Sequence, residues 1–124
     1  MMSYLTDRKR AVGLGSAKSG TEHHWSMTVS SGALLILIPL FVFTFGPMLG
    51  ASYDEVTAYF ARPFPAVIAG LTIIVTFKHF AGGVQALLED YVHGVAQKVA
   101  IVAMTCVSYA AMGFGLYAVV RLAL

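Results

Sequence analysis

His79, Gly82, Gly83, Asp90 and Tyr91 are the residues of this chain whose types and spacing could do chemistry. They share one stretch, FKHFAGGVQALLEDY (Phe77–Tyr91), in the later half of a long apolar run. An imidazole nitrogen is a good ligand for iron. Gly82 and Gly83 stand three and four residues beyond His79, on roughly the same side of a helix. A ring nitrogen beside a surface without side chains suits a flat cofactor, and haem is the leading candidate. Two plainer readings stand beside this one. His79 could be a structural histidine bonded to a neighbouring helix, and the glycines could serve close helix packing.

Asp90 and Tyr91 close the run. A phenol can donate a hydrogen bond to a quinone carbonyl, and a nearby carboxylate can orient donors or relay protons. Tyr91 lies about 18 Å along the helix from His79, so one helix could present a haem ligand and a quinone contact. By position alone Tyr91 also suits an aromatic-belt anchor, and Asp90 a helix end. Lys78 points about 100° away from His79 and must snorkel, pair or approach a haem propionate.

The histidine count limits the haem reading. His23 and His24 precede the first apolar run and His93 follows the second, so none is expected at the depth of His79. A haem held by two histidines would need its other ligand from a partner subunit. His24, with His23 and Trp25, could wall the interfacial pocket near Tyr91 or meet haem propionates.

The elements that must position these groups follow from composition. The chain has 124 residues, 58% hydrophobic and 11% charged. Its eight Lys+Arg and six Asp+Glu lie mostly outside three apolar runs, the pattern of a membrane protein. The net charge of +2 and the short basic cluster Arg8–Arg10 suit acidic lipid or a partner but form no nucleic-acid surface. A single cysteine, Cys106, excludes an internal disulfide.

The expected fold is an all-α membrane protein: three transmembrane helices in a heteromeric bundle, with a polar N-terminal arm and a short interfacial helix. Residues 1–25 are read as the polar arm, irregular over Met1–Glu22, with Gly13, Ser16 and Gly20 along it. Residues 26–124 are read as the anchor, with spans at about 28–50, 64–89 and 98–120. Thr28, Ser30 and Ser31 could bond to carbonyls one turn back or face a neighbour. Pro39 should bend the first span and Pro47–Gly50 should end it. Ser52 and Glu55 match a capping box for a helix bearing Tyr53, Val56, Tyr59 and Phe60. Pro63 and Pro65 suit the start of the second span. Ala66 with Gly70, and Ala111 with Gly115, are small-residue pairs for close helix contact. Asp90–Val95 is read as a turn. Arg8, Lys9, Arg10, Lys18 and Lys98 outweigh Arg62, which places the N-terminus in the cytoplasm and the C-terminus in the periplasm.

Two segments carry a resemblance. GSAKSGTEHHW (Gly15–Trp25) and HFAGGVQALLEDY (His79–Tyr91), the latter with the pattern H-x(10)-D-Y, resemble the small hydrophobic anchor (D-type) of alphaproteobacterial succinate dehydrogenase, respiratory complex II. The resemblance implies that His79 is one axial ligand of haem b, the other coming from a second membrane-anchor subunit. It implies that Tyr91 hydrogen-bonds ubiquinone and that Asp90 borders that pocket. It also implies an iron–sulfur subunit and a flavoprotein subunit, which hold the iron–sulfur clusters and FAD, and a place in the bacterial inner membrane. Succinate oxidation would then lie outside this chain. Many relatives carry an arginine where Thr28 stands, so a positive charge there would come from a partner.

Other readings make different demands. A fumarate reductase anchor using menaquinone would differ only in quinone and direction. A small transporter or channel subunit would need a polar stripe across all three spans, whereas polarity here gathers around the second. A structural subunit without haem would tolerate loss of His79.

Overall fold

A computed structural model describes residues 4–15 and 19–124; Ser16 and Lys18 of the expected arm lie outside them. The described residues form five α-helices: α1 (Asp7–Val12), α2 (Ser19–Phe45), α3 (Tyr53–Phe60), α4 (Pro63–Tyr91) and α5 (Gly94–Ala123). Three of them, α2, α4 and α5, are long and apolar enough to cross a membrane. The expected all-α membrane fold is therefore the fold of this chain.

The arm is more ordered than its composition suggested. Thr6 caps α1 by accepting a hydrogen bond from the Lys9 backbone N–H at 3.3 Å. Helix α2 starts at Ser19, not near Ser26 or Thr28, so His23, His24 and Trp25 stand inside it. A bilayer dictates which residues must be apolar, not where a hydrogen-bonded helix begins. Glu22, in the first turn, also favours the positive end of the helix dipole.

Helix α2 continues through Pro39 and gives way after Phe45 to a 3₁₀ turn, Gly46–Met48. The expected capping box forms at Ser52. The Ser52 backbone N–H and hydroxyl both donate to the Glu55 carboxylate at 2.8 Å. These bonds hold the Glu55 carboxyl below its ordinary pKa. Arg62 then leads into α4, with Pro63 at the first helical position.

The turn expected over Asp90–Val95 contracts to two residues, Val92 and His93. Asp90 and Tyr91 belong to α4, and α5 begins at Gly94. Gly94 has φ +72°, a conformation that favours glycine. The Gln97 side-chain amide donates to the Glu89 carbonyl at 3.2 Å and ties the two helices across this joint.

Helix α4 is central, packing against α2 on one side and α5 on the other. The glycine of each expected small-residue pair lies at the α4–α5 contact. Gly70 faces Leu116, and a Cβ on Gly115 would meet Ile73 at 3.3 Å. Phe60 on α3 is buried beside Phe45, with ring centroids 6.4 Å apart. Among the described residues only Phe60, Ile68 and Ala69 are buried hydrophobic residues. Most apolar side chains face outward, as they must where lipid or other subunits complete the environment.

Candidate haem and quinone site

The seam between α2 and α4 sets the position of His79. Its ring Nδ1 lies 2.8 Å from the Ser30 hydroxyl of α2. That hydroxyl also lies 2.8 Å from the Ser26 carbonyl and 3.0 Å from the Met27 carbonyl, within donating distance of both. Ser30 is 7% exposed, although it sits in a helix with little other burial. Thr28 and Ser31 spend their hydroxyls on carbonyls of their own helix, at His24 and Met27. Of the three hydroxyls noted in this segment, only that of Ser30 reaches α4.

One turn away, the same seam closes over Gly82. A Cβ there would stand 2.8 Å from Met27 Sδ and 3.6 Å from His23 Cε1. At Gly83 the Met27 methyl would be 3.9 Å away. The flat surface formed by these glycines therefore receives α2 side chains. Close helix packing, the alternative left open by the sequence, accounts for the contacts seen at Gly82 and Gly83.

His79 also lines an open groove of about 430 Å³ with Ser31, Leu34, Leu35, Ile38 and Pro39. Its Nε2 has no hydrogen-bond partner among the described residues. No partnerless side-chain nitrogen or oxygen is buried among them either, so Nε2 reaches the surface of the chain. Lys78 lines a different groove, with Ser26, Val29 and Ser30. Ser30 thus lines this second groove while bonding to His79 of the first, and Lys78 does not share the groove lined by His79.

Asp90 and Tyr91 form the last turn of α4, both exposed, Tyr91 at 78%. Among the described residues no hydrogen bond or ion pair joins them to His24 or to His79. His24 is exposed and uses its backbone carbonyl to accept from Thr28; it is His23 that turns toward Gly82. Near Glu89 the Gln85 amide donates to the Glu89 carboxylate at 2.8 Å. Among the described residues, no three His, Cys, Asp or Glu side chains gather as a metal cluster. His79 is thus a single donor on an apolar wall, and Asp90–Tyr91 a separate exposed pair.

Sequence reasoning found His79 and the hydroxyls of α2 but not the bond between His79 and Ser30. A serine followed by apolar turns was the available signal. It did not reveal which way the serine faced.

The family of succinate dehydrogenase/fumarate reductase transmembrane subunits matches residues 2–119. A curated relative, the succinate dehydrogenase hydrophobic membrane anchor subunit of Paracoccus denitrificans, is 44% identical over 123 residues. The alignment covers 99% of this chain and 95% of the relative. No solved structure gives a significant match.

Proposed function

The chain belongs to the succinate dehydrogenase/fumarate reductase transmembrane subunit family, and from that premise we propose that it holds one side of a haem b and part of a ubiquinone-reduction site. The membrane-anchor role rests on the family and on three membrane-length helices. The finer reading rests on one observation: His79 lines an open, largely apolar groove and keeps an Nε2 that has no hydrogen-bond partner among the described residues.

That arrangement fits a haem edge. One imidazole nitrogen is available, the lining around it is largely apolar, and the groove is open on the side where another subunit could supply the second ligand. Bound haem b would supply a one-electron store. This chain would hold the iron through His79 and shield that side with Leu34, Leu35 and Ile38. Lys78 lies on the other groove and would not meet a propionate from its present position.

The quinone contact falls to Tyr91, whose phenol can donate to a carbonyl oxygen. Asp90 beside it can orient that donor and pass protons from water. His24, at the same end of the bundle, would line the approach. Basic residues Arg8, Lys9, Arg10 and Lys98 at this end, against Arg62 and Arg121 at the other, favour a cytoplasmic N-terminus and a periplasmic C-terminus in a bacterial inner membrane. Tyr91 would then face the side that receives an iron–sulfur subunit and a flavoprotein subunit, where FAD would oxidise succinate and the clusters would pass its electrons toward the quinone. The 44% identity to a succinate dehydrogenase anchor favours a succinate-oxidising complex over a fumarate reductase.

Reduced-minus-oxidised spectroscopy of the purified complex tests the reading. His79→Ala should abolish or strongly change the b-type signal. An unchanged signal would refute the ligand assignment.

A further inference from the structure

We propose that Ser30 is a positioning residue that selects the tautomer of His79 and tunes the potential of the haem His79 holds, an inference that rests on the ligand reading of His79 given above. The protons shared between Ser30 and His79 decide the tautomer. The Ser30 hydroxyl has one proton and three neighbours that could accept it: the Ser26 carbonyl at 2.8 Å, the Met27 carbonyl at 3.0 Å and His79 Nδ1 at 2.8 Å. A neutral imidazole has one N–H, on Nδ1 or on Nε2.

Two arrangements are possible. In the first, Ser30 donates to Nδ1. The imidazole proton then sits on Nε2, where it has no acceptor among the described residues. In the second, Ser30 donates to its own helix, as Thr28 and Ser31 do. Its oxygen then accepts a hydrogen bond from Nδ1–H, and Nε2 is left with a free lone pair. Every donor is satisfied only in the second arrangement. It is also the only one in which Nε2 can bind a metal.

The consequence goes beyond orientation. An imidazole that donates its Nδ1–H to an acceptor is a stronger electron donor through Nε2. A stronger donor favours ferric over ferrous iron and lowers the reduction potential. Ser30 is buried in the seam and its backbone is pinned by α2, so the acceptor is held in place. The neighbouring contact of Met27 with Gly82 fixes the helix alignment that presents it.

The test compares three variants in the purified succinate dehydrogenase complex, reading haem content and haem midpoint potential by redox titration. Ser30→Ala should raise the midpoint potential, because Nδ1–H loses its acceptor. Ser30→Thr, which keeps a hydroxyl, should restore the native value. His79→Ala should lose the native spectrum. A Ser30→Ala complex with native haem content and an unchanged potential would overturn the proposal. So would a Ser30→Thr complex that behaves like Ser30→Ala, since the hydroxyl would then be irrelevant. If Ser30→Ala lost its haem altogether, a native potential in Ser30→Thr would support the hydroxyl's role, and loss of haem there too would overturn it. Native haem in His79→Ala would instead overturn the ligand reading itself, and the role of Ser30 with it.

Discussion

Gly82 stands so close to Met27 that a single added carbon would lie 2.8 Å from the Met27 sulfur. This contact and the Ser30–His79 hydrogen bond occupy one seam. Ser30 stands three positions after Met27 on α2, and Gly82 three positions after His79 on α4. Shape and hydrogen bonding therefore specify the same antiparallel register.

That seam can be probed directly. Gly82→Leu should force α2 away from α4 and destabilise the anchor by about 1–3 kcal/mol, a typical cost of overpacking. Removing the obstructing side chain in a Gly82→Leu/Met27→Ala double variant should recover part of the loss, because contacting residues are not additive. Thermal unfolding of the complex, followed for the two single variants and the double, measures the coupling. Strict additivity would show that the two side chains do not meet.

At the other end of α4, Tyr91→Phe removes one phenolic donor and little volume. Quinone reduction should fall by a few-fold to about tenfold, the range expected for a lost neutral hydrogen bond. Succinate oxidation with an artificial acceptor should be unchanged. Paired assays on one preparation separate the outcomes, because equal loss of both activities would point to faulty assembly.

The short joint between α4 and α5 gives a backbone prediction. Gly94 has φ +72°, and the left-handed region costs an L-residue about 1–2 kcal/mol. Gly94→Ala should lower the melting temperature of the complex without altering the haem spectrum. An unchanged melting temperature would mean that residue 94 adopts another conformation.

Helix α3 should respond to acid. Glu55 is bonded by both the Ser52 backbone N–H and hydroxyl, so its folded pKa lies below that of the unfolded chain. The stabilisation is present above the ordinary glutamate pKa and is lost as pH falls through the lower folded value. Hydrogen exchange of α3, corrected for the intrinsic rate, should show protection falling across that acidic window. In Glu55→Gln the same window should produce no change.

Much of this architecture could be read from the residues themselves. Three apolar runs, the capping box at Ser52 and the prolines opening α4 each act locally or through composition. The facing of the site was not legible. Helix α2 has apolar residues nearly all round, so no stripe distinguishes the side of Ser30 from that of Thr28 or Ser31. The choice of His23 over His24 against Gly82 has the same cause. The extent of α2 was also hidden, because polarity marks the expected edge of the membrane while the hydrogen-bond ladder continues to Ser19. Nor could the glycines announce their neighbour, since a missing side chain suits a porphyrin and a methionine equally well.

The shared register has a consequence for changes in chain length. Lengthening or shortening α2 before Met27 or after Ser30 leaves the spacing of the two contacts unaltered. Inserting one residue between them would rotate the serine by about 100° relative to the methionine. The packing and the hydrogen bond would then demand different alignments. Those few positions of α2 are where this anchor should be least tolerant of an insertion or deletion, although none of them touches the groove through a charged group.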